Sequence, residues 1–462
     1  MPLTSTYLTA RPIQSTVHTP APLAAEDVHG PDDLEFPFMN APTKHARPTV
    51  AVIGLGYIGL PTAAILASTG ADVIGVDINE KNVNVINEGK VPFVEPDMAT
   101  TVAGVVSQGF LKASTKTPHA DNYIVAVPTP FTDGHEPDLS YIETAGKQIA
   151  PLLEGNEVII LESTSPPGAT EFLAQTVLST RPDLTLEPGT AQTIYFAHCP
   201  ERVLPGRIMI ELRTNDRIVG TLNGNAGERA RDLYQLFCEG EFLMTDARTA
   251  ELSKLTENAY RDVNIAFANE LSMIADKLDI NVWELIDLAN HHPRVNILQP
   301  GPGVGGHCIA VDPWFIVATT PEHSSLIKTA REVNDSKPQF VLDKLLPQAK
   351  RIKDVRVAAL GLAFKPNIDD LRESPARRIV NQLSDELPEA TIMAVEPNID
   401  KLPSDLEVRE NVTLTELYAA VEAADIVLLL VDHYEFARID RKLLTQKIVH
   451  DTRGLWNSES TT

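Results

Sequence analysis

Thr49-Val50-Ala51-Val52-Ile53-Gly54-Leu55-Gly56-Tyr57-Ile58-Gly59 is the stretch on which the fold turns. Thr49–Ile53 is a short, nearly continuous apolar run, as expected of a strand buried on both faces. The glycines behind it are spaced G-x-G-x-x-G, and an alanine-rich helical stretch, about Leu60–Thr69, follows. Such a turn lets a pyrophosphate approach a helix N-terminus, where unpaired N–H groups and the helix dipole favour anions. Asp72–Asp77 then reads as a second strand, ending on an acid 23 residues after Gly54. Asp77 can accept hydrogen bonds from the adenosine ribose and would repel a 2′-phosphate, which selects NAD over NADP. A glycine turn without a ligand is the plainer alternative. Strand, spacing, helix and acid together argue against it.

Outward from this unit, strands are expected at Asn122–Val127, Val158–Glu162 and Ile194–Ala197, with helical stretches between them. That alternation predicts a doubly wound parallel sheet. From Thr249 to Asp279 the pattern becomes one long helix, in which Leu252, Leu255, Ala259, Val263, Phe267, Leu271, Ile274 and Leu278 recur at steps of three and four. A helix of that length suits a connector between domains or a dimer seam. A second βα alternation begins at Arg356–Phe364 and continues through Thr391–Val395, Ala424–Val431 and Lys447–His450. It has only Gly361 where a dinucleotide turn wants three glycines, so it reads as a Rossmann-like domain that does not hold NAD. The expected fold is α/β, with two Rossmann-like doubly wound domains (49–248 and 346–462) joined by a central helical region, 249–345.

Bulk properties narrow the function. A chain of 462 residues exceeds one core and fits two to three domains. Its formal charge of −24, from 39 basic and 63 acidic residues, argues against nucleic acid or an anionic membrane as partner. An anionic small ligand remains open, because a site needs only a few local Arg and Lys. Cys199, Cys238 and Cys308 are an odd number in a long chain, so no disulfide framework is expected and a reducing, cytoplasmic setting fits. No apolar run approaches membrane-spanning length; Ile426–Val431 is a buried-strand signal. The first 48 residues carry eight of the 34 prolines and no sustained apolar period, which predicts a disordered extension rather than a signal peptide.

Three groups of residues suggest chemistry. Gly301-Pro302-Gly303-Val304-Gly305-Gly306-His307-Cys308 is a loop dense in glycine that ends in a thiol, with Asp312 four residues on. Local amides or a following helix N-terminus could activate that thiol. Taken alone, a cysteine such as Cys308 is more often a buried structural thiol. Lys254 and Asn258 lie one turn apart on the long helix, a pair able to stabilise an oxyanion or simply a solvated face. His198-Cys199-Pro200-Glu201-Arg202-Val203-Leu204-Pro205-Gly206 follows a strand, at the sheet edge where α/β proteins bind ligands. Glu201 is there a candidate base and Arg202 a candidate anion contact. The two His-Cys pairs match no zinc spacing, so no metal is expected.

Together these elements resemble the UDP-glucose/UDP-mannosaminuronate dehydrogenase family across about residues 49–456. The motifs, in order, are VIGLGYIGLP, VAVPTPF, ESTSPPG, HCPERVLPG, AELSKLTENAYRD, GPGVGGHCIAVDPW, GLAFKP and DLRESPA. HCPERVLPG with HHPRVN and GGHCIAVDPW looks most like the branch acting on UDP-N-acetyl-D-mannosamine. The UDP-glucose branch typically has PEFLxEG, and a lysine where this chain has Val311. The resemblance implies a four-electron oxidation of the sugar C6 alcohol by two NAD, in a homodimer or larger assembly built through the central helix. It makes Cys308 the nucleophile, Lys254 and Asn258 the oxyanion stabilisers, Thr164 and Asp312 the holders of the catalytic water, and Glu201 an aid to hydrolysis. It sets Tyr57, Ile58, Asp77, Thr129, Thr164 and Arg372 against NAD, beside Gly54, Gly56 and Gly59. Along the UDP-sugar it sets Arg202, Val203, Lys254, Asn258, Arg261 and His292. Arg294, Gly305, Phe364, Lys365 and Arg453 complete that set, with Arg294 able to serve a neighbouring subunit. Close alternatives keep the chemistry and change the sugar to UDP-N-acetylglucosamine or UDP-glucose. A two-electron hydroxyacid dehydrogenase or a non-enzymatic NAD-binding protein would leave the Cys308 loop without a purpose.

Overall fold

The computed structural model describes residues 47–456, apart from Val94, Pro96, Asp133, Pro205 and His307. The extension expected to be disordered, 1–48, lies outside the described residues except for its last two.

Eight strands form the first sheet: β1 Thr49–Ile53, β2 Asp72–Val76, β3 Leu111–Ser114, β4 Asn122–Val125, β5 Val158–Leu161, β6 Tyr195–His198, β7 Arg217–Thr221 and β8 Phe242–Asp246. Their order is β3-β2-β1-β4-β5-β6-β7-β8, so the chain reverses direction across the sheet between β1 and β4. β1 pairs in parallel with both neighbours, Ile53 opposite Val76 on one side and Val125 on the other. Val50 and Val52 enter one core layer and Ala51 and Ile53 the other, which is why the run reads as continuously apolar. Not every strand is parallel as expected, because β7 returns antiparallel to β6. The HCPERVLPG loop and a short helix, Ile208–Thr214, turn the chain back before β7 begins. The second sheet holds β9 Arg356–Leu360, β10 Thr391–Val395, β11 Val412–Leu414, β12 Ile426–Leu429 and β13 Ile448–Asp451, all parallel, in the order β11-β10-β9-β12-β13.

Six helices position the site: α1 Gly59–Ser68, α2 Ala169–Thr180, α3 Ala247–Lys277, α4 Val282–Asn290, α5 Asp312–Thr319 and α6 Ser325–Ala349. The 31-residue α3 starts on Asp246, whose side chain caps Thr249 N at 2.9 Å. One turn in, the buried Glu251 accepts hydrogen bonds from Gly168 N, Thr170 N and Thr170 Oγ1 at 2.6–2.8 Å. It thereby satisfies the orphan amides at the start of α2 and fixes α3 to the first sheet domain.

The apolar positions of α3 divide between two environments. Leu255 and Ala259 are buried, whereas Phe267, Ile274 and Leu278 are exposed. The face packed on α6 is instead polar. Arg331, with no exposed surface, donates to Asp262 Oδ1 at 2.5 Å and to Asp335 Oδ1 at 2.6 Å. Asn334 Nδ2 donates to the Asp262 carboxylate and carbonyl at 2.8 and 3.0 Å, and Asn269 Nδ2 donates to Asn334 Oδ1 at 2.8 Å. Asn269 Oδ1 accepts from Gly301 N at 2.9 Å and Arg331 reaches the Ile309 carbonyl, so this network holds the thiol loop on both sides of Cys308. Burial raises the Asp262 carboxyl to about 6 against the pull of Arg331, the mark of a costly and closely matched pair. Replacing Arg331 by Met, which strands the Asp262 charge, is expected to lower unfolding free energy by about 3–5 kcal/mol in urea denaturation. Pairing it with Asp262→Leu should recover part of that loss.

Candidate active site

The dinucleotide turn has the geometry its glycines imply. Gly54 has φ 95°, and a Cβ there would lie 2.4 Å from the Ala126 carbonyl oxygen. A Cβ on Gly59 would lie 1.8 Å from Gly54 O, so α1 abuts the turn. Gly56 faces open space, with nothing within 4 Å of an added Cβ, as a pyrophosphate cradle requires. Asp77, just past β2, accepts from Leu55 N at 3.0 Å and Asn79 N at 2.8 Å. Ile58 caps α1, and Tyr57 stacks on Phe93 with centroids 4.3 Å apart. The loops after β4 and β5 are joined where Thr129 Oγ1 donates to the Thr164 carbonyl. Arg372 comes from the second sheet domain and sets its guanidinium 5.0 Å from the Tyr57 ring centroid. It is braced by Asp370 at 2.6 Å.

Cys308 lies where α3, α5 and the two sheet domains meet. Asp312 opens α5, with its N–H on the Cys308 carbonyl at 2.8 Å, and its buried carboxylate receives Asn258 Nδ2 at 2.5 Å. Burial pushes the Asp312 carboxyl up to about 7, against the Asn258 hydrogen bond and the Lys254 charge. Burial and the nearby Asp312 carboxylate push the Cys308 thiol up to about 11, while Lys254 and Arg372 pull the other way. The loop by itself therefore does not lower the thiol, even though Cys308 reaches the surface of the site. The loop glycines are needed because Phe364 and its neighbours press on them. A Cβ on Gly305 would fall 2.6 Å from the Glu373 carbonyl oxygen and 2.8 Å from Phe364 Cβ. Gly306 N donates to the Arg372 carbonyl at 3.2 Å. Arg453 reaches the Pro300 carbonyl at 3.4 Å and is held by Asp432 at 2.8 Å.

Other expected residues lie differently. Glu201 is buried, with its carboxylate committed to Arg217 at 3.0 Å and to Arg202 N at 2.6 Å. Arg217 lies 3.9 Å from Glu162, whose carboxyl burial and Glu201 drive to about 8. Arg202 pairs with Glu257 of α3 at 2.7 Å, with Val203 half-buried beside it. Arg261, His292 and Arg294 are exposed, on α3 and in the segment after α4. Lys365 is half-buried behind Phe364. No group of three or more His, Cys, Asp or Glu able to hold a metal occurs among the described residues.

Sequence reasoning missed the supports. Glu251, Asp262 and Asn269 fall with the already named Asn258 at helical steps on one buried face, a polar stripe that the search for apolar periods passes over. It also missed the stack of His135 on Trp314, 3.9 Å between centroids, which ties the loop after β4 to α5.

The first sheet carries a dinucleotide turn and the second supplies Arg372, Phe364 and Arg453 to the same thiol-bearing region, a division of labour found in nucleotide-sugar oxidoreductases. Residues 48–238, 248–336 and 358–458 match, in turn, the NAD binding, central and UDP binding domains of the UDP-glucose/GDP-mannose dehydrogenase family. The chain belongs to that family: its N-terminal sheet domain binds NAD, and it is an NAD-dependent oxidoreductase of nucleotide sugars. It is 57% identical over 393 residues to a UDP-N-acetyl-D-mannosamine dehydrogenase of Campylobacter jejuni, covering 84% of this chain and 96% of that one. It is 55% identical over 413 residues to an NDP-N-acetyl-D-galactosaminuronic acid dehydrogenase of Ralstonia nicotianae, covering 89% and 97%. Its fold superposes on the UDP-D-ManNAc dehydrogenase of Pyrococcus horikoshii with a TM-score of 0.78 at 37% identity, covering 88% and 96%.

With the thiol raised to about 11, alkylation of Cys308 by iodoacetamide should keep accelerating from about pH 7 to about pH 10. Lys254→Ala, which removes a cation that favours the thiolate, should slow it. A rate that levels off below about pH 8 would instead reveal a thiolate already formed at neutrality.

Proposed function

We propose that the protein oxidises the C6 alcohol of UDP-N-acetyl-D-mannosamine to the carboxylate of UDP-N-acetyl-D-mannosaminuronate. One observation supports this above others: Cys308, Lys254, Asn258 and Asp312 share one site between a dinucleotide turn and a UDP-binding domain. The Gly54–Gly59 turn and Asp77 would hold NAD, which would supply the hydride acceptor for each of two successive oxidations. The chain's residues do the rest. Asp312, with its carboxyl near 7, exchanges protons at working pH, and Lys254 beside it meets the negative charge developing on the sugar oxygen. The aldehyde from the first oxidation is captured by Cys308 sulfur adding to C6, with the thiol proton passing to the carbonyl oxygen. Loss of the C6 hydride and of the hydroxyl proton, the latter to Asp312, turns that thiohemiacetal into a thioester. Water adds to its carbonyl carbon, the C–S bond breaks, and the thiol is restored with the carboxylate as product. Asn258 keeps one amide hydrogen on Asp312 and has a second for the oxyanion. For Glu201 to assist hydrolysis, its pair with Arg217 must loosen.

The sugar epimer has a second reading in the Ralstonia relative, whose name specifies a galactosaminuronate at nearly the same identity as the mannosamine enzymes. Purified protein offered a panel of UDP-sugars should yield two NADH per UDP-N-acetylmannosamine consumed. A preference for UDP-N-acetylgalactosamine overturns the epimer, and one NADH per sugar overturns the thioester route. Cys308→Ser should stop acid formation.

The same reading puts the protein in the cytoplasm and pairs two copies along α3. Tyr260, Phe267, Ile274 and Leu278 leave between 47% and 69% of their surface exposed on one side of that helix. An apolar stripe of this kind favours a partner over water. Phe267→Glu with Ile274→Glu should convert a dimer into a monomer in sedimentation velocity; unchanged mass would refute the seam.

A further inference from the structure

The second sheet ends its central strands on a buried pair to which the mechanism above gives no role. Glu396 follows β10 as Asp77 follows β2, and both carboxylates turn back onto the glycine turn of the neighbouring strand. Asp77 takes one amide of its turn, Leu55 N. Glu396 Oε2 takes two, Leu362 N at 2.8 Å and Ala363 N at 3.0 Å, and accepts from His433 Nε2 at 3.0 Å as well. Its other oxygen receives Asn398 N and Asn398 Nδ2 at 3.2 and 3.0 Å. His433 has no exposed surface. Its Nδ1 accepts from Asn367 N at 3.0 Å, which requires a neutral ring with its hydrogen on Nε2, donated to Glu396. The Asn367 side chain closes the loop again by accepting Tyr434 N at 3.1 Å.

Both ends of segment 362–367 thus hang on one carboxylate–imidazole pair: two amides at its start on Glu396, one at its end on His433. The segment carries Phe364 and Lys365, and Phe364 packs on Gly305 and Gly306 of the thiol loop. We propose that Glu396 and His433 are positioning residues that shape 362–367 into a uridine diphosphate subsite and close this turn to a dinucleotide. Asp77 takes only the first amide of its turn, Leu55 N, and leaves that of Gly56 to a pyrophosphate, whereas Glu396 consumes both counterparts, Leu362 N and Ala363 N.

The inference rests on the UDP-sugar reading, and the test separates the two by using UDP alone as the probe. Calorimetry on the full chain should show UDP binding weakened at least about tenfold in His433→Phe, which keeps the ring and loses both polar contacts. NAD binding to the same variant should stay within about twofold of the parent, since the first sheet is untouched. His433→Gln can again present one donor and one acceptor, so it should bind UDP more tightly than His433→Phe; if the Phe variant does not fold, the Gln variant and Glu396→Gln are compared instead. UDP affinity equal to the parent in a folded variant overturns the proposal, as does an equal loss of NAD and UDP binding. Failure of the parent chain to bind UDP would instead overturn the UDP-sugar reading.

Discussion

The ion pair between Arg331 and Asp262 carries more of this molecule than its size suggests. It sits with no exposed surface between two long helices, where separated charges would cost several kcal/mol each. The cost is only partly offset: Asn334 Nδ2 donates to the Asp262 carboxylate, and the Arg331 guanidinium donates to Asp335 and the Ile309 carbonyl, while Asp262 Oδ2 and Arg331 Nε keep no partner among the described residues. The Ile309 carbonyl belongs to the loop bearing Cys308, and Asn334 reaches that loop again through Asn269 and Gly301 N. The position of the thiol loop is therefore coupled to the buried charge.

From that spine the two sheets are hung asymmetrically. Glu251 fixes the start of α3 to the dinucleotide-binding domain through the capped amides of α2. Farther along the same helix, Lys254 and Asn258 meet Asp312 and the thiol. Side chains on a rigid helix keep their spacing more faithfully than ones on loops, and the loops after β4 and β5 are joined to each other through Thr129 and Thr164. The second sheet contributes through short segments at its carboxyl edge, Phe364, Arg372 and Arg453.

Much of this was legible in the residues. β1, the glycine turn and Asp77 were readable because buried parallel strands leave an unbroken apolar run and dinucleotide turns demand glycine at fixed steps. β7 and β8 were not, since β7 opens on the buried Arg217 and β8 is an edge strand with Leu243 and Met244 half exposed. Nor was α6, because Pro338 and Pro347 inside it signal a break that tertiary packing overrides. At the site, Cys308, Lys254, Asn258 and Asp312 were found by type and spacing, but the resting charge of the thiol was not. That charge depends on burial and on Asp312, which no local pattern discloses. The commitment of Glu201 to Arg217 is likewise a contact between separate loops.

The weakest of the contacts described has a consequence for timing. Arg372 over Tyr57 bridges the second sheet domain to the dinucleotide turn across 5.0 Å, an attraction of about 0.5–1 kcal/mol at a partly exposed site. Parting of ring and guanidinium is cheap, whereas the loop holding Cys308 is tied through Asn269 and Arg331 in the buried spine. On the route proposed above, a spent dinucleotide would exchange across the looser of these two sets of contacts while a sugar bonded to sulfur stays with the tighter one.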